Sequence, residues 1–169
     1  MPVTVRAEND NDVQAIWHVN QAAFGGEDEA RLVDQLRAGG FVRLSLVAEL
    51  DGQVVGHILF SELKIVSSDS SLDAVALAPL AVLPAFQRQG IGKLLMQHGL
   101  DACRKQGERV AIVLGHPHFY PQFGFSAELA APLDSPFAGE AFMALEFEPG
   151  ALAGCTGQVR YAPPFGVFS

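Results

Sequence analysis

The stretch Leu80–Leu95, LAVLPAFQRQGIGKLL, decides how this chain is read. An apolar, strand-like run meets a loop with two glycines, and that loop opens an amphipathic helix. The order strand, Gln87-x-x-Gly90-x-Gly92, helix makes a cradle for a pyrophosphate. Gly90 and Gly92 carry no Cβ, so the backbone turns sharply and lets a ligand come close. N–H groups in the first turn of a helix have no partner inside it, and the positive end of the helix dipole favours an anion. Arg88 and Lys93 add fixed positive charge at the same place. The spacing is not a P-loop, which needs glycine where Gln87 stands and Ser or Thr where Leu94 stands. Nor is it the dinucleotide fingerprint, because Leu95 holds the position of the third small residue. Without a ligand, the same glycines end a strand and let a helix pack closely.

Upstream, Val3–Ala7 reads as a strand, followed by an N-cap at Asn9 or Asp10 and a helix through Phe24. Gly25 and Gly26 break it, and Glu27–Arg37 forms a second helix stopped by Gly39 and Gly40. Ser45–Leu50 and Gln53–Leu63 are strands around an Asp51-Gly52 hairpin turn. After the polar loop Ser67–Ser71, the apolar strand Ala74–Val82 contains Pro79, which cannot donate to a ladder and so marks a bulge. The helix Gly92–Gln106 leads to a short buried strand, Val110–Leu114, and Phe142–Phe147 and Val159–Tyr161 are the last strands. The pattern is a single α/β domain over residues 1–169 with a mixed sheet. Its strand–helix–strand unit is a parallel crossover with a ligand cleft at the carboxyl ends of the strands.

Composition narrows the function. Apolar residues make up 49% of the chain and charged residues 18%, enough for a full core and too few charges for a long disordered tract. A net charge of −8 disfavours nucleic acid as a partner. The absence of a long apolar run, and of a basic region followed by an apolar core at the N-terminus, argues against membrane insertion and secretion. Two distant cysteines, Cys103 and Cys155, suit a reducing cytoplasm. His116-Pro117-His118 offers two ligands without a nearby Cys or paired acid, so no metal is expected.

A second motif, Tyr120-x-x-x-Gly124-Phe125 within GHPHFYPQFGF, follows the short strand. Together with Q-x-x-G-x-G it resembles the GNAT superfamily of acyl-CoA-dependent N-acetyltransferases. PLAVLPAFQRQGIGKLLM, LGHPHFYPQFGF, VVGHILFS and VRYAPPFG look like its bacterial YhbS-like branch. The resemblance implies a mixed, largely antiparallel sheet with a central splayed parallel strand pair and helices on both faces. It implies acetyl-CoA as cosubstrate, lying in the V of the splayed pair. By matching position, the backbone of Leu80, Ala81 and Val82 pairs with the pantetheine arm, and an amide near Val82 points at the thioester oxygen. The backbone N–H groups of Arg88, Gln89, Gly90, Ile91, Gly92 and Lys93 hold the pyrophosphate.

The resemblance also implies direct transfer to an amine. Tyr120 matches the family's general acid, a phenol that stays protonated at neutral pH. The alternative reading packs it with Phe119 and Phe123, and Pro121 places it ahead of a short helix rather than inside it. The strand VALAPLAV lacks the glutamate that many relatives use as base, which leaves His57 on the hairpin strand as the candidate, set against a buried strand histidine. Glu27 and Glu29, where the second helix begins, and His116 are candidates for binding the acceptor; acids there also simply complement the helix dipole. Without the strand glutamate, a non-catalytic acyl-CoA-binding or sensing module is the competing function. Dimerisation is common in the family, and the tail from Ala151, with Tyr161, Phe165 and Phe168, either closes the domain or meets a second subunit.

Overall fold

The computed structural model describes residues 2–135, 137 and 139–166; Phe168 lies outside them. Seven strands form one sheet: β1 (Thr4–Ala7), β2 (Val42–Leu50), β3 (Gln53–Val66), β4 (Ser71–Val82), β5 (Val110–Leu114), β6 (Phe142–Glu146) and β7 (Gln158–Tyr161). Their order is β1-β2-β3-β4-β5-β6, with β7 paired to β3. The helices are α1 (Val13–Phe24), α2 (Asp28–Ala38), α3 (Ile91–Lys105) and α4 (Ala127–Ala130). The chain divides into two compact units, residues 1–60 with 78–102, and residues 61–77 with 103–169.

In the first unit, β1 and β2 are antiparallel, with Val5 opposite Ala48. Asn9 starts the turn before α1 with a capping box: its side chain accepts from the Asn11 N–H, and Asp12 accepts from the Asn9 N–H at 2.8 Å. Asp12 also takes both ends of the Arg6 guanidinium at 2.8 and 3.0 Å, which holds its carboxyl below the usual range. Helix α1 buries Ile16, Val19 and Asn20 and ends at Gly25, whose φ of 72° suits a residue without Cβ. Helix α2 buries Ala30, Val33 and Leu36 at helical spacing. Helix α3 sits close to β3 because of two glycines. A Cβ on Gly56 would lie 2.9 Å from Leu95 Cδ1, and one on Gly99 2.8 Å from Phe60 Cε1.

In the second unit, β4 and β5 run parallel, with Val75 opposite Ala111 and Leu77 opposite Val113. Strand β6 pairs antiparallel with β5, and β7 with the end of β3. Leu63, Ile65, Ala74, Ala76, Ile112, Phe142 and Val159 belong to one buried cluster. The parallel ladder stops before Pro79, whose bond to Ala78 is cis.

The expected elements are present, with shifted ends. Strand β2 starts at Val42 instead of Ser45, and β4 at Ser71 instead of Ala74. In each case polar or half-buried residues continue a pairing that hydrophobic alternation alone does not mark. Helix α3 begins at Ile91 and ends at Lys105, one residue earlier at each end than the sequence suggests.

Candidate active site

The loop between β4 and α3 is built by local bonds. Leu83 closes the strand by donating its N–H to the Val55 carbonyl at 2.9 Å, and Pro84 opens a single 3-10 turn through Phe86. The Gln87 amide then reaches back to the Val82 carbonyl at 2.9 Å, tying the loop to the end of β4. Arg88 (φ 63°) and Gly90 (φ 85°) both lie in the left-handed region, so the chain curls before the helix. For a non-glycine such as Arg88, that conformation is a strained one.

Leu94 is the first residue of α3 whose N–H is taken inside the chain, by the Gly90 carbonyl at 3.0 Å. Among the described residues, no acceptor meets the N–H groups of Gly90, Ile91, Gly92 or Lys93. Gly92 is informative because nothing inside the protein calls for a glycine there. Its φ is not positive, and an added Cβ would find only Val82 Cγ2, at 4.0 Å. Gly92 thus leaves open space beside a row of N–H groups that no acceptor among the described residues meets. Arg88, Gln89 and Lys93 are exposed, while Leu80 and Val82 on β4 are half-buried.

Tyr120 belongs to the second unit. It opens a 3-10 turn over Tyr120–Phe123, where sequence reasoning placed it ahead of one. Pro121 is tolerated in this first turn because the N–H it lacks would have no partner there. The Tyr120 N–H turns back to the His116 carbonyl at 3.4 Å, and Gly124 (φ 106°) ends the turn. The ring is 9% exposed and meets Phe119 and Phe125 edge-on, with centroids 5.1 and 5.9 Å away. Gly115 supplies its bed, since a Cβ there would sit 2.5 Å from Tyr120 Cε2. Burial pushes the phenol up to about 12, so it keeps its proton throughout the neutral range. Tyr120 thus packs against Phe119 and Phe125 and keeps its proton at neutral pH.

His57 is placed differently from expectation. It is fully buried, and both ring nitrogens are engaged. Asn20 Nδ2 lies 3.2 Å from Nδ1, and Ser45 Oγ lies 2.9 Å from Nε2. Ser45 in turn donates to Glu8 Oε1 at 2.5 Å. Burial works against charge on Glu8, but the bonds from Arg37 and Ser45 outweigh it and leave the carboxyl below its ordinary range. As an ionised acceptor, Glu8 requires the Ser45 hydrogen, so His57 must donate from Nε2 and accept at Nδ1. Burial lowers the imidazole to about 4. A base that meets an amine directly needs a free nitrogen facing the substrate, and neither is free; this corrects the assignment of His57 as that base.

Among the acceptor candidates, Glu27 stands at the N-cap position of α2 without a side-chain capping bond, and it pairs with Arg31 at 3.0 Å, as an ordinary helix ion pair does. Glu29 is half-buried in the first turn of α2, with no basic partner among the described residues. The His116 side chain is exposed, four residues before Tyr120. Among the described residues, no group of three or more His, Cys, Asp or Glu is placed to hold a metal ion. No helix among them is long and apolar enough to cross a membrane.

Sequence reasoning missed Gln87 as the tie to β4, Gly115 as the bed of Tyr120, and the partners of His57. Gly115 stands just after a strand and five residues before the tyrosine, a signal that local spacing could have raised. Glu8 and Ser45 are 37 residues apart and carry no such signal.

Comparison with known proteins gives the family. Residues 13–125 match the model of the acetyltransferase (GNAT) family. The N-acetyltransferase YhbS of Escherichia coli K12, itself uncharacterized, is 37% identical over 169 residues, covering 97% of this chain and 99% of that protein. YjhQ, an uncharacterized N-acetyltransferase of the same strain, is 34% identical over 171 residues, covering 95% and 93%. The crystal structure of E. coli YhbS in complex with CoA superposes with a TM-score of 0.89 at 34% identity, covering 99% of this chain and 93% of that one. A GNAT family acetyltransferase from Brucella melitensis in complex with acetyl-CoA gives 0.82 at 36% identity, covering 97% and 98%. The chain belongs to the GNAT family of acetyltransferases.

Proposed function

We propose that the protein moves an acetyl group from acetyl-CoA to a primary amine, on a small molecule or a peptide, by direct attack. The observation that carries this reading is the row of unpaired N–H groups at Gly90–Lys93 beside Gly92, a glycine with no internal reason to be one. In this reading the backbone from Arg88 to Lys93 binds the pyrophosphate, and the backbone of Leu80, Ala81 and Val82 aligns the pantetheine arm. A neutral amine attacks the thioester carbonyl, the C–N bond forms, and the C–S bond breaks. An amide near Val82 stabilises charge on the carbonyl oxygen, and Tyr120 gives its proton to the leaving sulfur. Most of the acceleration comes from holding the two reactants together. Glu27, Glu29 and His116 are assigned to the acceptor; its ammonium gives one proton to solvent before attack and the nitrogen a second after the C–N bond forms, and the Tyr120 phenolate regains its proton from solvent. In this reading the reaction takes place in the cytoplasm.

Calorimetric titration with acetyl-CoA tests the cradle. Saturable binding by the wild type, lost in Gly92→Glu, supports it; no binding by the wild type removes it. Release of CoA thiol across a panel of amines tests transfer. The burial of His57 and the lack of a glutamate on β4 favour a second reading, an acyl-CoA-binding module without transfer. Binding without thiol release for any amine supports that alternative.

A further inference from the structure

The bonds around His57 continue beyond it. Arg37 donates from Nε and Nη2 to the two Glu8 oxygens at 2.9 and 3.1 Å, and from Nη1 to Asp34 at 3.1 Å. One chain, Asn20–His57–Ser45–Glu8–Arg37, thus joins α1, β3, β2, the residue after β1, and the last turn of α2. Its inner end is expensive. Asn20 is fully buried, with Nδ2 committed to the Ile16 carbonyl and His57, while Oδ1 has no partner. Apolar residues at 20 and 57 would fill the same space without that cost, so the chain is not explained by stability.

What it does fix is position. Asn20 lies one turn before Phe24, where α1 ends, and Arg37 closes α2. Between the helices run Gly25, Gly26 and Glu27, and Phe24 is 45% exposed. Among the described residues, the side-chain ion pairs of this stretch run from Glu27 and Asp28 to Arg31, within α2 itself. The location of Phe24–Glu29 therefore follows from how the two helices are held.

We infer that Glu8, Ser45 and His57 form a clamp that fixes α1 and α2, and through them the Phe24–Glu29 stretch that meets the acceptor. They are positioning residues, and the acceptor part of this inference rests on the function proposed above. Glu8 faces Arg37 and Ser45, and His57 faces Asn20 and Ser45, so one hydroxyl links the two halves.

The test is Ser45→Ala, with Ser45→Thr as the conservative rescue and Glu8→Gln as a second break should Ser45→Ala fail to fold. Hydrogen exchange is read at the amides of residues 16–38, alongside acetyl-CoA affinity and amine kinetics. The clamp predicts at least tenfold faster exchange in α1 and α2, with acetyl-CoA affinity within twofold of wild type. It predicts a rise of at least fivefold in KM for the amine, kcat within twofold, and recovery in Ser45→Thr. Unchanged exchange in a folded Ser45→Ala overturns it, as does a fall in kcat at constant KM, which would assign the chain to proton transfer. If the wild type acetylates no amine, the proposed function fails by itself, and the clamp stands or falls on the exchange result.

Discussion

The buried imidazole of His57 makes the protein sensitive to mild acid. In the folded state burial holds His57 near about 4, against an ordinary value near 6.5. Between those pH values the unfolded chain binds a proton at this residue and the folded chain does not. Stability therefore rises with pH across the window and is lost as pH falls from 6.5 toward 4. At about 1.4 kcal/mol per pH unit, the gap amounts to about 3 kcal/mol, a sizeable part of the ~5–15 kcal/mol that holds a domain together. Glu8 and Asp12, both held below the ordinary range, act at lower pH, because their contribution persists until they begin to protonate. The assay is urea unfolding from pH 4.5 to 7.5 on the wild type and on His57→Gln, which keeps a donor and an acceptor but does not titrate. The other histidines are common to both proteins and cancel. The wild type is expected to lose about 2.5 kcal/mol more than the variant over this range, which stops short of the folded value, although the variant starts out less stable at pH 7.5. Parallel pH slopes for the two proteins would refute the reasoning, and with it the buried neutral state of His57.

Three further outcomes follow from particular contacts. Tyr120→Phe keeps the ring packing but removes the proton, and is expected to lower turnover tenfold or more at constant acetyl-CoA affinity; stopped thiol-release assays and calorimetry check both halves. Gly115→Ala puts a methyl 2.5 Å from the Tyr120 ring, which Phe119 and Phe125 already bracket, so the ring must shift. It is expected to cost about 1–3 kcal/mol in thermal unfolding and to alter the near-UV circular dichroism. Asp12→Asn removes the paired bond to Arg6 and weakens the capping box before α1, with an expected loss of about 1–3 kcal/mol by urea unfolding at neutral pH.

The loop between β4 and α3 was the most legible part of the candidate site. Its signal is local: glycines, a cation at each end and the start of a helix all fall within seven residues, and loop conformation follows from such neighbours. The strands were legible from alternation and from the Asp51-Gly52 turn, where φ values of 51° and 78° match the turn those residues favour. His57 was the least legible. A histidine on an apolar strand reads the same whether its ring faces a cleft or the core, and here its partners come from positions 20 and 45.

The residues alone determined the order of elements, the parallel unit from β4 to β5, the anion-ready start of α3 and the family, because propensity, periodicity and short motifs act between neighbours in the chain. Tertiary structure alone decided that His57 is a neutral core residue with both nitrogens committed, that Gly115 makes room for Tyr120, and that Glu8, Ser45 and Arg37 join into one bonded chain. Desolvation and hydrogen bonding depend on what surrounds a side chain in space, and those surroundings come from segments far apart in sequence.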